Sequence, residues 1–247
     1  MLKKVLFTAA LIITILALAI LVIHNAKGIL FHTMPWFMAG ATVAGITSGV
    51  FRGIRNNACT QRLNYQCDRH TIDSFLEHWG TGTGIFILMI SGFFIKVGYN
   101  RVFAMNLHFL GLIMTLYFGT YFVADFFIAK KYNYLLPGIT DIIDGTVKKY
   151  LVRAAWRDTS KYLSSQKSAF LAFSVLGIGI LLTGAVKVAA FFFSIPVQLT
   201  HMATQAHDIL AGLFVLMLLI HILFVVIVRS HRRLLASLFT GKVKSKE

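Results

Sequence analysis

Residues 201–222 read HMATQAHDILAGLFVLMLLIHI, an apolar segment with His207 near its beginning and His221 near its end. A run of ~20 apolar residues crosses a bilayer as a helix, because a helix satisfies its backbone hydrogen bonds internally. Over the fourteen residues between the rings, a helix rises ~21 Å and returns to within roughly 40° of the same face. The spacing therefore predicts two sites at two depths of a membrane, on one face of one helix.

The rest of the chain is also apolar. Of its 247 residues, 57% are hydrophobic and only 13% are charged, whereas soluble domains carry about 25% charged residues. The sequence therefore predicts an all-α, polytopic membrane protein. Six candidate spans fall at 5–23, 34–51, 75–95, 105–128, 168–190 and 206–228.

The basic residues that give the chain its formal net charge of +15 are distributed as this topology predicts. Of the 24 Lys and Arg residues, 20 fall at the N-terminus, in loops 52–74 and 129–167 and in the tail 229–247, and the alternate loops together with the span-edge Lys187 hold four. Because cytoplasmic loops are enriched in Lys and Arg, both termini are expected in the cytoplasm, and the basic charge does not indicate nucleic-acid binding. The first span has the charged start and apolar core of a signal peptide without a convincing cleavage site, so we expect a retained anchor.

The two cysteines, Cys59 and Cys67, lie in the predicted cytoplasmic loop 52–74. Their spacing fits neither a CxxC nor a CxxCH motif. We expect two reduced thiols rather than a metal site or a disulfide.

The nine histidines divide into two groups. Five are expected at the membrane surfaces, where a ring needs no cofactor: His24, His32, His70, His201 and His231. The other four lie within or at the edge of spans, where an ionisable side chain is costly and usually has a functional partner. These four are His78, His108, His207 and His221.

The direction of each span sets the depth of its histidine. His108 and His207 both fall at the outer ends of their spans, and His78 and His221 both fall towards the cytoplasm. Two bis-histidine sites stacked in a helical bundle are typical of two b-type hemes. Four separate core histidines are the alternative, and a zinc or iron site is disfavoured because no carboxylate joins the rings at ligand spacing.

Glycines accompany these histidines, and their role has two interpretations. A residue without a Cβ lets a flat macrocycle approach the backbone, but it equally lets another helix approach. The glycines concerned are Gly80, Gly82, Gly84, Gly111 and Gly212.

Four stretches, in order along residues 70–247, resemble the gamma subunit of formate dehydrogenase, a diheme cytochrome b. EHWGTGTGIFILMISGFFI (77–95) and NLHFLGLI (106–113) resemble its first two heme helices. KYLSSQKSAFLAFSVLGIGILLTG (161–184) resembles its K-Y-x-x-x-Q-K loop and L-x-T-G helix. HDILAGLFVLMLLIHI (207–222), followed by FTGKV (239–243), resembles its last helix and tail.

The resemblance implies a four-helix heme-binding bundle in residues 71–247, preceded by a membrane anchor of two helices and a cytoplasmic loop in residues 1–70. It implies two heme b groups, with His78 and His221 as ligands of the inner heme and His108 and His207 as ligands of the outer heme. It also implies a bacterial inner-membrane location, an iron–sulfur subunit and a catalytic subunit as partners, and electron flow to a quinone of the membrane pool.

The resemblance implies a quinone site, for menaquinone or ubiquinone, on the cytoplasmic side. Its candidate residues are Tyr162, Gln166, Lys167 and His221. The family often has Asn directly after K-Y, where this chain has Leu163. Because Leu163 lacks the amide of asparagine, the quinone site or the quinone that it prefers is expected to differ from that of the family.

Related cytochromes b serve nickel-iron hydrogenases and other molybdoenzymes such as thiosulfate reductases, and these are the alternative partners. A transporter with a histidine proton relay is a further alternative. Such a transporter would show inverted repeats and interrupted helices, and the sequence shows neither.

Overall fold

The computed structural model describes residues 2–30, 32–62, 72–153, 155 and 162–228, and these residues form helices and connecting turns. The predicted features at Cys67, His70, Lys161 and His231 lie outside these ranges. The helices are α1 (Leu2–Asn25), α2 (Met34–Arg62), α3 (Ile72–Lys96), α4 (Arg101–Ile128), α5 (Tyr132–Leu135), α6 (Ile139–Ile142), a π-helical segment (Ile143–Lys148), α7 (Lys149–Leu151), α8 (Ser164–Ala189) and α9 (Val197–Ile227).

Among the described residues, five helices are long and apolar enough to cross a membrane, which confirms the predicted all-helical class and is consistent with several spans. The predicted first span is also helical as α1, but its segment Ala9–Asn25 falls in the class of shorter apolar helices. The spanning segments are Met34–Arg55, Asp73–Lys96, Arg101–Ile128, Ser164–Ala189 and Val197–Ile227.

The largest correction concerns the second span. The sequence predicted that it ends at residue 51 and that a loop follows, but α2 continues to Arg62. Arg52 is only 5% exposed. The charge of Arg52 suggested a loop, but this side chain is paired with carboxylates inside the helical bundle.

The described helices fall into two compact units. The first contains α1–α4 and reaches Lys131, and the second is Tyr132–Val228 with α5–α9. The predicted division into a 1–70 anchor and a 71–247 heme domain stays a prediction.

In the first unit, α2 packs against α4 through glycines spaced four residues apart. A Cβ at Gly45 would collide with Thr120 and the Tyr117 backbone, and a Cβ at Gly49 would collide with the Tyr121 carbonyl. Gly53 continues the same face. Small residues let two transmembrane helices approach closely, and this ridge identifies α4 as the partner of α2.

Helices α3 and α4 form a tight antiparallel hairpin. Gly98, at φ 74°, closes the turn in a conformation that favours glycine. Asn100 then caps α4, its side chain accepting a hydrogen bond from the Phe103 N–H at 3.2 Å. Gly84 and Gly111 face each other across the hairpin, where added Cβ atoms would meet α4 and the Gly84 carbonyl respectively.

The connection between α1 and α2 is fastened to the start of α4 by one side chain. Asn106 is 2% exposed. Its Oδ1 accepts from the Leu30 N–H at 3.0 Å, and its Nδ2 donates to the Gly28 carbonyl at 3.0 Å. One amide therefore satisfies two backbone groups of the loop.

In the second unit, α8 and α9 form the spanning hairpin. Gly179 of α8 lies against Leu210 of α9, and Gly184 lies against the His207 ring. The segment before α8 is fastened to the start of that helix by Asp141, whose contacts are described below. This fixes the loop that precedes α8 against the hairpin.

Candidate functional site

The four span histidines are divided between the two units. His78 on α3 and His108 on α4 belong to the first, and His207 and His221 on α9 belong to the second. Each predicted bis-histidine pair takes one ring from each unit, so both pairings stay predictions. The surroundings of each ring are described within its own unit.

His207 lies in a cradle made by α8. Its Nδ1 is 3.1 Å from the Thr183 Oγ1 and 3.1 Å from the Ile180 carbonyl oxygen. A Cβ on Gly184 would stand 3.3 Å from the ring Cε1, so glycine makes room for the imidazole. Thr183 and Gly184 are the last two residues of the stretch 161–184. Both are needed beside the His207 ring, Thr183 for its hydroxyl contact and Gly184 for the space it leaves.

These contacts fix the tautomer of His207. A carbonyl oxygen only accepts hydrogen bonds, so the contact with Ile180 requires a proton on Nδ1. The Thr183 hydroxyl donates its own hydrogen within α8, to the Gly179 carbonyl at 2.8 Å, and can therefore accept from the same Nδ1–H. The lone pair of the neutral ring then lies on Nε2, the atom that would bind a metal.

His108 repeats this arrangement in the other hairpin. Its Nδ1 is 3.0 Å from the Oγ of Ser91 on α3. Ser91 is fully buried and donates its hydrogen to the Ile87 carbonyl at 2.7 Å. The contact places a hydroxyl at the Nδ1 of His108, as Thr183 does at the Nδ1 of His207.

The other two histidines have aromatic neighbours. His78 is exposed on α3 and meets the Trp79 ring edge-on, with centroids 5.5 Å apart. His221 is half-buried on α9 and meets the Phe173 ring edge-on at 5.6 Å. These contacts orient the rings by packing.

The glycines divide between the two interpretations offered by the sequence. Gly80, Gly84 and Gly111 face a neighbouring helix, since a Cβ on each would collide with α4 or α3. They serve helix packing. Gly82 and Gly212 have open space at the Cβ position, so the close approach of a macrocycle stays a prediction for these two.

Three of the four residues predicted to line a quinone site, Tyr162, Gln166 and Lys167, lie at the start of α8, whereas His221 lies on α9. Lys167 is 8% exposed, and its Nζ lies 3.0 Å from the Asp141 Oδ2. The Ser164 hydroxyl donates to the Asp141 Oδ1 at 2.7 Å. Burial alone would raise the pKa of Asp141, but hydrogen bonds from Ser164, Lys167 and the Gly138 N–H hold it below its ordinary value. The ammonium group of Lys167 is therefore engaged by a carboxylate.

Gln166 and Leu163 form the end of the helix itself. Leu163 is the N-cap of α8, and its N–H donates to the Gln166 Oε1 at 3.1 Å. This is half of a capping box, because leucine offers no side-chain acceptor to the first turn. Tyr162 stacks on Tyr134, with centroids 5.9 Å apart and planes 9° apart.

A buried cluster of four charges in the first unit was not predicted from the sequence. It lies where α3 begins and α4 ends, beside Arg52 of α2. Arg52 lies 2.7 Å from Glu77 and 3.3 Å from Asp125. Lys131 lies 2.6 Å from Asp125 and 3.5 Å from Glu77. The sequence did contain a signal for this cluster. Arg52, Glu77 and Asp125 all lie at or inside the edges of predicted spans, where charged residues are rare.

A second ion pair flanks this cluster. Arg55 lies 2.6 Å from Asp73, and its side chain is 69% exposed. A cleft of about 460 Å³ opens beside it, lined by Ser48, Phe51, Arg52, Arg55, Asp73 and Tyr121. Among the described residues in and around the cleft, three cations and three carboxylates form ion pairs with one another.

Among the described residues, no group of three or more His, Cys, Asp or Glu side chains comes together as a metal site. The donor set at His108 and His207 fits axial ligation of a heme, in which a neutral imidazole has its Nδ1–H held by an oxygen and its Nε2 available to iron. No protein-family model matches the chain, and no curated protein or solved structure matches it either.

Proposed function

We propose that the chain is the membrane electron-transfer subunit of an oxidoreductase complex, binding two b-type hemes between an iron–sulfur partner outside the membrane and the quinone pool. One observation carries the proposal. Two histidines on different helices each have Nδ1 within 3.1 Å of a hydroxyl on the preceding helix, an arrangement in which the ring can donate from Nδ1 and bind iron through Nε2. The partner enzyme is proposed to be of the formate dehydrogenase type, with a nickel-iron hydrogenase or another molybdoenzyme as the alternative.

In this proposal His108 and His207 hold the outer heme, and His78 and His221 hold the inner heme. When bound, each heme would supply a one-electron couple. The chain's own contribution is to orient the imidazoles by the contacts of Ser91, Thr183 and Phe173, and to exclude water with apolar helices. Fourteen residues separate the two α9 ligands, and the corresponding rise of ~21 Å spans most of the hydrocarbon core.

A quinone headgroup is proposed to bind on the cytoplasmic side near Tyr162 and Gln166, with Lys167 and His221 close by. Lys167 is paired with Asp141, so its contribution there is to hold the loop in position. Tyr162 and Gln166 supply the hydroxyl and the amide that a quinone carbonyl needs as donors.

A reduced-minus-oxidised visible spectrum of the purified protein tests the proposal. Two b-type components are expected, and His78→Ala or His221→Ala should remove one while His108→Ala or His207→Ala removes the other. A wild-type protein without heme absorption would refute the proposal. It would favour the transporter alternative, for which the buried charge cluster around Arg52 is the supporting observation.

The proposed location is the bacterial inner membrane, with both termini in the cytoplasm, because of the 20 to 4 distribution of basic residues. Thiol labelling tests this orientation. A membrane-impermeant reagent should reach Cys59 and Cys67 in inverted vesicles only. Labelling from the outside of intact cells would reverse the orientation.

A further inference from the structure

The two hydroxyls that hold imidazoles occur at equivalent places. Ser91 lies on α3 and serves His108 on the following helix, and Thr183 lies on α8 and serves His207 on the following helix. Each hydroxyl donates its own hydrogen four residues back, to Ile87 or to Gly179. In each case the hydroxyl oxygen can then accept a hydrogen bond from the ring Nδ1–H.

We infer that Ser91 and Thr183 are positioning residues for a single iron, the outer one, and that they lower its midpoint potential. The inference rests on the proposed function, in which His108 and His207 share the outer heme. Each residue acts through its histidine and does not itself bind the metal.

The sign follows from the direction of the hydrogen bond. When the Nδ1–H is donated to an oxygen, electron density on Nε2 rises and the imidazole becomes a stronger donor. A stronger axial donor favours the ferric over the ferrous state. Removing the acceptor should therefore raise the midpoint potential of that heme.

The two residues should differ in the size of their effect. His207 keeps a second acceptor, the Ile180 carbonyl at 3.1 Å, when Thr183 is replaced. For His108 the hydroxyl of Ser91 lies 3.0 Å from Nδ1. Ser91→Ala and Thr183→Val are both expected to give a positive shift, and the Ile180 carbonyl limits the shift in Thr183→Val.

Redox titration of the visible absorbance of the purified full chain tests this. Both variants, and the double variant, should shift the same one of two b-type components and leave the other unchanged. Thr183→Ser keeps the hydroxyl and should titrate like the wild type. Thr204→Val should do the same, because Thr204 makes the same bond four residues back, to Thr200, without touching a histidine. Loss of the same single component in both variants would support the part of the inference that assigns both residues to the ligands of one iron.

Three results would overturn it: two components with unchanged potentials in Ser91→Ala and Thr183→Val, equal shifts in both components, or shifts of different components in the two variants. Each is distinct from failure of the proposed function, for which the wild type itself would show no b-type absorption.

Discussion

Two arginines three residues apart on α2 allow the contribution of burial to be measured directly. Arg52 and Arg55 each lie within 2.7 Å of a carboxylate, Glu77 for the first and Asp73 for the second. The side chain of Arg52 is 4% exposed, whereas that of Arg55 is 69% exposed. The same substitution, Arg→Met, removes a similar contact in two different surroundings.

The expected free-energy changes differ severalfold. Arg52→Met leaves Glu77 and Asp125 buried with Lys131 as their shared cation, and an uncompensated buried charge costs ~3–5 kcal/mol. A Coulomb energy of ~4 kcal/mol for unit charges at 4 Å and an effective dielectric constant of 20 agrees with this range. Arg55→Met breaks an exposed pair and should cost only about 0–1 kcal/mol.

The free energy of unfolding can be followed by titration with sodium dodecyl sulfate in mixed micelles, using far-ultraviolet circular dichroism. The double variant Arg52→Met, Glu77→Met provides the internal check. It leaves one cation and one carboxylate, Lys131 and Asp125, 2.6 Å apart. Because charge balance returns, the double variant should be more stable than Arg52→Met alone.

Equal losses in Arg52→Met and Arg55→Met would refute the reasoning, since burial would then have no effect on the cost of losing the charge. A double variant less stable than Arg52→Met alone would show that packing, not charge balance, accounts for the loss.

Three further outcomes are expected. Gly49→Ala should destabilise the protein by about 1–3 kcal/mol through overpacking against α4, while Gly40→Ala, where the Cβ position is open, should be neutral or stabilising in the same titration. Leu163→Asn should complete the capping box of α8 and stabilise it by ~0.5–2 kcal/mol, and an unchanged midpoint would contradict this assignment of the N-cap. Because the pKa of Asp141 is lowered from 3.8 in the folded state, its stabilising contribution is complete above pH 3.8 and is lost as the pH falls through the folded pKa. The stability difference between wild type and Asp141→Asn should therefore be constant from pH 5 to 7 and shrink only below 3.8, and a difference already shrinking at pH 5 would contradict the lowered pKa.

The spanning helices could be predicted from sequence because hydropathy is a local property. A window of ~20 apolar residues requires a helix whatever its neighbours are. The observed α3, α4 and α8 begin three or four residues earlier than predicted and α9 begins nine residues earlier, since hydropathy marks the apolar interior and not the polar first turns. The end of α2 was mispredicted for the opposite reason, because Arg52 looked like a boundary.

The contacts of the site could not be predicted, because they depend on the register of one helix against another. Nothing in the sequence states that Ser91 stands opposite His108 or that Thr183 stands opposite His207. A weaker signal existed, since both hydroxyls are isolated polar groups in long apolar runs. Likewise, the charges of Arg52, Glu77 and Asp125 balance only after three helices have come together.

The buried charge cluster also constrains the order in which the chain is assembled. During synthesis Arg52 enters the membrane with α2, and its partner Glu77 follows 25 residues later. Asp125 and Lys131, at the far end of α4, follow later still. Until α3 and α4 are in place, we expect the long side chain of Arg52 to extend towards the lipid headgroups, and the glycine ridge of α2 has no helix to pack against. A nascent chain that ends before α4 is therefore expected to hold α2 at a shallower depth than the full chain does.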